Sequence, residues 1–150
     1  MSDSFPSNSN KLNISCKVTI VNSEFNSEIV NKLISTTEKR LQEISDVNLT
    51  KITVPGAYEI PFVVKKIMEQ KRTDAIICLG AIIRGETTHY DLISENVFTS
   101  ISRLNNLGKI PIVNGILTTE NINQAEERIK NGIYFADSCI RMINVNKDLT

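Results

Sequence analysis

The chain has 150 residues, 41% of them apolar, which is enough to bury one core and cramped for two domains. Lysine plus arginine and aspartate plus glutamate balance at 17 each, which excludes a global field toward nucleic acid or a membrane surface and leaves any anion to be held by local placement. Cys16, Cys78 and Cys139 lie far apart, two of them inside apolar runs, which suits reduced, packed thiols rather than a disulfide framework or a CxxC metal site. The opening "MSDSFPSNSNK" is polar and lacks an apolar signal segment, and no later run approaches membrane-spanning length. The expectation is a flexible polar tail over residues 1–12, a single domain over residues 13–150, and a soluble protein of the cytoplasm.

In chain order, "NISCKVTIV" (residues 13–21) is a β-branched run that reads as a strand, and "NSEFN" leads from it into "SEIVNKLISTTEKRLQEI", where Ile29, Leu33, Ile34, Leu41 and Ile44 keep helical spacing. "VNLTKITV" (residues 47–54) reads as a second strand; Pro55 and Gly56 break it, and Pro61 fits the first turn of the helix "PFVVKKIMEQ". "DAIICLGAII" (residues 74–83) is apolar on both faces, as a central parallel strand should be, and after "RGETTHYD" a helix runs through Leu92, Val97, Ile101 and Leu104 to a stop at Gly108. "IPIVNGIL" (residues 110–117) makes the fourth strand. Asn121 with Gln124 forms a capping pair for the helix "INQAEERIK", which Asn131-Gly132 interrupts before a last amphipathic segment through Ile140 and Ile143.

Strand and helix alternating four times predicts an α/β fold with a four-stranded parallel sheet and helices on both faces. Ligands of such sheets bind beyond the carboxyl ends of the strands, so "NSEFN", "PGAYEIP", "RGETTHYD" and "GILTTEN" become candidates together. They put Phe25, Glu59, Arg84, Glu86, Thr87, Thr88 and His89 on one rim. His89 is the only histidine, and a lone histidine is more often structural than catalytic. Its place between strand and helix, beside the amides of Glu86, Thr87 and Thr88, favours proton transfer near a bound anion. "GETT" has neither the glycines nor the lysine of a nucleotide-triphosphate loop, and a single phosphate is more in scale. Phe25 is flanked by Glu24 and Asn26, which argues against deep burial; Glu59 has the plainer reading of a cap for the helix at Pro61, and Arg128 of a solvated helix face. One histidine and scattered cysteines build no metal cluster of ordinary ligand spacing.

The blocks "VPGAYEIP" (residues 54–61), "LGAIIRGETTHYD" (residues 79–91) and "IPIVNGILTTENINQAEER" (residues 110–128) resemble, in order and spacing, the signatures of the 6,7-dimethyl-8-ribityllumazine synthase family. The resemblance spans about residues 18–145 and implies a flavodoxin-like three-layer α/β/α sandwich. It implies a transferase of riboflavin biosynthesis that condenses 5-amino-6-(D-ribitylamino)uracil with 3,4-dihydroxy-2-butanone 4-phosphate, with no metal and no organic cofactor. In that reading His89 is catalytic; Phe25 stacks on the pyrimidine, Ala57, Tyr58 and Glu59 read the ribityl chain, and Ala81, Ile82, Ile83 and Asn114 border the heterocycle. Glu86 and Thr87, through their backbone, and Arg128 hold the phosphate.

The resemblance further implies a homo-oligomer, either a pentamer or an icosahedral shell of sixty subunits. Its sites lie between adjacent subunits, with Phe25, Glu59 and His89 on one and Asn114 and Arg128 on the next, and riboflavin synthase is a candidate further partner. Two features depart from the family pattern. Asn114 stands where many members carry an aromatic residue, which makes that wall of the pocket more polar, and the "RIKNG" segment looks shorter than usual, with Lys130 in place to serve for a lysine found there in other members. The alternative kept beside this reading is a homologue without catalysis that binds lumazine or flavin or builds a shell. Receiver-like or flavodoxin-like binding modules are less favoured, since "VNSEFN" supplies neither an acidic cluster nor a Ser/Thr-rich phosphate loop.

Overall fold

The computed structural model describes residues 15–150. The tail expected over residues 1–12 lies outside the described residues. Four strands, β1 (Ser15–Ser23), β2 (Asp46–Val54), β3 (Ala75–Ile83) and β4 (Ile112–Thr119), form one sheet in the order β2-β1-β3-β4 with every neighbouring pair parallel. β3 is apolar at each position and buried along most of its length because helices cover both of its faces, whereas β2, at the sheet edge, exposes much of its length.

The helices α1 (Ser27–Ile44), α2 (Ile60–Gln70), α3 (His89–Asn105), α4 (Ile122–Glu127) and α5 (Gly132–Leu149) divide between the two faces. Alternate sheet residues Val18, Ile20, Ile77 and Leu79 meet Leu33 and Leu41 of α1 and Ala136, Cys139 and Ile140 of α5. Val21, Ile76, Cys78 and Ile116, pointing the other way, meet Val64 of α2 and Val97 and Ile101 of α3. The period of two along the strands thus feeds two cores, one on each side of the sheet. The expected three-layer α/β/α sandwich with a four-stranded parallel sheet is the observed fold. No helix among the described residues is long and apolar enough to cross a membrane.

Several boundaries differ from expectation for local reasons. β1 continues beyond Val21, because Asn22 and Ser23 still pair with Thr53 and Val54 of β2. β4 starts at Ile112 rather than residue 110: Pro111 has no N–H to give, and only its carbonyl joins the ladder, accepting from Ile76 N at 3.0 Å. Pro61 stands in the first turn of α2, and Gly108, past the end of α3, has the positive φ of 68° that glycine tolerates best. The Asn121–Gln124 pair caps α4, with Gln124 N donating to Asn121 Oδ1 at 2.9 Å.

The break expected at Asn131-Gly132 falls earlier, at Arg128 (φ −96°, ψ 1°), followed by a 3-10 turn over Ile129–Asn131. Gly132 is already helical, and its role is packing. A Cβ there would lie 2.7 Å from Thr37 Oγ1 and 3.0 Å from Thr37 N, so glycine is what lets α5 start against α1.

Candidate active site

From β1 the chain goes out to β2 at the sheet edge and then crosses back to β3, so the strand order reverses between β1 and β3. Loops leaving the two strands diverge there and open a crevice. A pocket of about 490 Å³ lies at this end of the sheet, within the roughly 300–1,000 Å³ span of small-molecule sites. Three strand-end loops and the end of β3 build it.

After β1, Asn26 adopts the left-handed conformation (φ 58°, ψ 44°) and donates from Nδ2 to Ala81 O at 2.8 Å, which ties this loop to β3. That brace leaves Phe25 at the pocket with 72% of its surface exposed. After β2, a 3-10 turn over Ala57–Glu59 is closed by Glu59, whose carboxylate accepts from Gly56 N at 3.1 Å. The carboxylate therefore braces its own turn rather than capping α2, and it lines the pocket with Ala57 and Tyr58. Ala81, Ile82 and Ile83 bring the end of β3 to the pocket. Ser23 Oγ, buried at the end of β1 without a hydrogen-bond partner, sits where a Cβ on Gly80 would come within 2.8 Å, so glycine is needed opposite it.

His89 is the first residue of α3, and its backbone N–H donates to Thr87 Oγ1 at 3.3 Å. Residues 84–89 are all exposed. Arg84 ties this stretch together: its guanidinium donates to both Asp91 oxygens at 3.2 and 3.0 Å, its Nε pairs with Glu120 Oε2 at 2.8 Å, and its Cζ stands 4.4 Å from the Tyr90 ring centre. The hydrogen-bonded Asp91 raises the already high pKa of Arg84, with Glu120 adding to the effect, so the group is a permanent cation.

Of the residues singled out from the sequence, Phe25, Ala57, Tyr58, Glu59, Ala81, Ile82, Ile83, Thr87 and His89 line this one pocket. Glu86 lies in the same loop, exposed beside it. Asn114 and Arg128 do not line it. Asn114 pairs with Cys78, three to five positions before the part of β3 that reaches the pocket, a set-back of roughly 10–17 Å at about 3.3 Å per residue. Its Oδ1 accepts from Ile116 N at 3.1 Å. Arg128, at the end of α4, donates from Nη1 to Thr118 O at 3.1 Å. Thr119 O turns toward β3, where it accepts from Arg84 N, so Thr118 O faces the open edge of the sheet, and Arg128 lies along that edge.

Five lining residues were not singled out from the sequence: Asn26, Gly56, Gly85, Tyr90 and Ile93. For Ile93 a signal existed, since it follows His89 by four residues on the same helix face, and Tyr90 stands three residues before Ile93. For Asn26 the signal was the residue type, since asparagine is one of the few residues other than glycine that visit αL. Among the described residues, no three His, Cys, Asp or Glu side chains come together as a metal site would require.

A family model described as 6,7-dimethyl-8-ribityllumazine synthase matches residues 15–147. The chain is 39% identical over 145 residues to the 6,7-dimethyl-8-ribityllumazine synthase of Limosilactobacillus reuteri, covering 93% of this chain and 95% of that one. It is 40% identical over 136 residues to the protein of the same name from Leuconostoc mesenteroides subsp. mesenteroides, covering 86% and 87% of the two chains. A match that starts with β1 and runs nearly to the end of α5 takes in every element that builds the pocket, and the chain belongs to the 6,7-dimethyl-8-ribityllumazine synthase family.

Proposed function

We propose that this chain is a lumazine synthase, a transferase of riboflavin biosynthesis that joins 5-amino-6-(D-ribitylamino)uracil to 3,4-dihydroxy-2-butanone 4-phosphate with release of phosphate and water. The observation that carries this reading is the convergence, in a chain of this family, of Phe25, Tyr58, Glu59, the end of β3 and His89 on one strand-end pocket. The reaction forms an imine between an amine and a carbonyl, expels phosphate and closes a ring. The substrates carry the reactive groups, and the protein must hold them, move protons and neutralise a dianion.

Each part of the pocket suits one of these tasks. Phe25, an aromatic ring left exposed at the pocket, offers a stacking surface to the flat pyrimidine. Tyr58 and Glu59 with Ala57 stand where a polyhydroxylated ribityl chain would run, and the backbone of Ala81, Ile82 and Ile83 borders the heterocycle. His89, exposed at the start of α3, moves protons during imine formation and phosphate elimination. Amides of Glu86 and Thr87, next to the helix start, cradle the phosphate with the guanidinium of Arg128. Much of the acceleration comes from holding two reactants in contact.

Asn114 and Arg128 complete the site from a neighbouring copy. What supports this is their place on the open β4 edge, away from the pocket that holds the other groups. The assembly is a pentamer or a larger shell, distinguished by sedimentation velocity. Three buried free thiols suit a reducing compartment such as the cytoplasm. Mixing the two substrates with the protein is expected to produce the fluorescent lumazine; no product at any enzyme concentration would end this reading. A binding protein without catalysis would bind the lumazine and make none.

A further inference from the structure

We propose that Arg84 is a positioning residue for His89, closing the residues 85–88 loop from both ends so that the imidazole stands at the pocket. The proposal rests on the reading of His89 as the proton-transfer group. Arg84 is fixed at its backbone, where its N–H donates to Thr119 O at 2.9 Å and prolongs the ladder between β3 and β4. Its side chain then reaches over the loop to the first turn of α3, gripping Asp91 through two hydrogen bonds and covering the Tyr90 ring, the two residues that follow His89. The Nε contact with Glu120 anchors the same guanidinium to the corner between β4 and α4.

Apart from Thr88 O, which accepts from Asp91 N at 3.1 Å and Leu92 N at 3.3 Å as α3 begins, little else holds the loop. Residues 85–89 are all exposed, nothing lies within 4 Å of a Cβ built on Gly85, and Thr87 Oγ1 contributes one hydrogen bond, to His89 N itself. An exposed ion pair is worth little as stability. A planar guanidinium engaged bidentately, paired a second time and stacked on a ring fixes direction, which a lysine cannot do. The consequence falls on geometry: an ångström of displacement at a reacting group costs on the order of a hundredfold in rate.

The test is a double-mutant cycle with R84A and H89A, read as kcat for lumazine formation at saturating substrates, beside hydrogen exchange of the peptide spanning residues 84–91. R84A is expected to lower kcat by about ten- to a hundredfold in the wild-type background and by far less in H89A, because the group it positions is already gone. R84K is expected to leave most of the loss in place. Amides of residues 85–89 should exchange faster in R84A, with those of α1, α2, α5 and the sheet core unchanged. Full turnover in R84A or R84K, an equal fold-loss in both backgrounds, or unchanged exchange of the loop would each overturn the proposal. A wild-type protein that forms no lumazine, or an H89A variant with undiminished turnover, would instead end the functional reading, and loop exchange would still report whether Arg84 holds the loop.

Discussion

Cys16, Cys78 and Cys139 are each shut into the core, so their ionisation is tied to folding. Burial pushes the Cys78 thiol from its ordinary 9.0 up to about 12, and burial raises Cys139 further still. Cys16 is raised too, again by burial, though its contact with Ser45 at 3.9 Å works against the shift. The sign follows directly. Above about pH 9 the unfolded chain gives up protons that the folded chain keeps, so the thiols' contribution is complete below that pH and drains away as pH rises toward 12. Each buried thiol then contributes a slope of at most about 1.4 kcal/mol per pH unit. Urea unfolding between pH 8 and about 10.5 should show stability falling with pH, and C78A or C139A should flatten the fall by up to that slope. Variants whose stability runs parallel to the wild type across this range would show that these thiols ionise without unfolding.

The elements are positioned by a few close approaches where side chains have been removed. A Cβ on Gly115 would lie 2.6 Å from Leu79 Cδ2, 2.8 Å from Phe135 Cδ2 and 2.9 Å from the backbone oxygen of Cys78, so β4 lies beside β3 and beneath α5 without room for a methyl group. G115A should lose about 1–3 kcal/mol of apparent stability, since a backbone oxygen cannot rotate away. G85A, with open space around the new methyl, should change stability little, and equal urea midpoints for the two variants would refute this account. The same distinction separates what could be read in the sequence from what could not. Helices α1 and α2 and the four strands were legible because their apolar residues keep the periods of 3.6 and 2 that burial on one or both faces demands. The order β2-β1-β3-β4 and the helix break at Arg128 were not, because they depend on pairings and packing between distant segments. Phe25, Glu59 and His89 stood out as chemically unusual residues in strand-end loops. The grip of Arg84 on Glu120 joins two loops from different strands, and no local spacing announces it.

At the scale of the whole molecule, the chain presents two separate parts of one proposed site: the pocket with His89, and the open β4 edge with Arg128. In a closed cyclic assembly with head-to-tail contacts, every subunit offers its pocket to one neighbour and its edge to the other. This makes a sharp prediction for mixtures of damaged chains. H89A and R128A should each be poorly active alone, the first for want of proton transfer and the second for want of a phosphate ligand. Unfolded together and refolded as an equal mixture, they form sites of every combination. A site is intact where an R128A chain supplies the pocket and an H89A chain supplies the edge, which random assembly yields at about one site in four. The mixture should therefore recover about a quarter of wild-type turnover, while the same chains refolded apart and combined without subunit exchange should not. If His89 and Arg128 of one chain serve the same site, every site in the mixture carries one lesion, and turnover stays at the mean of the two parents.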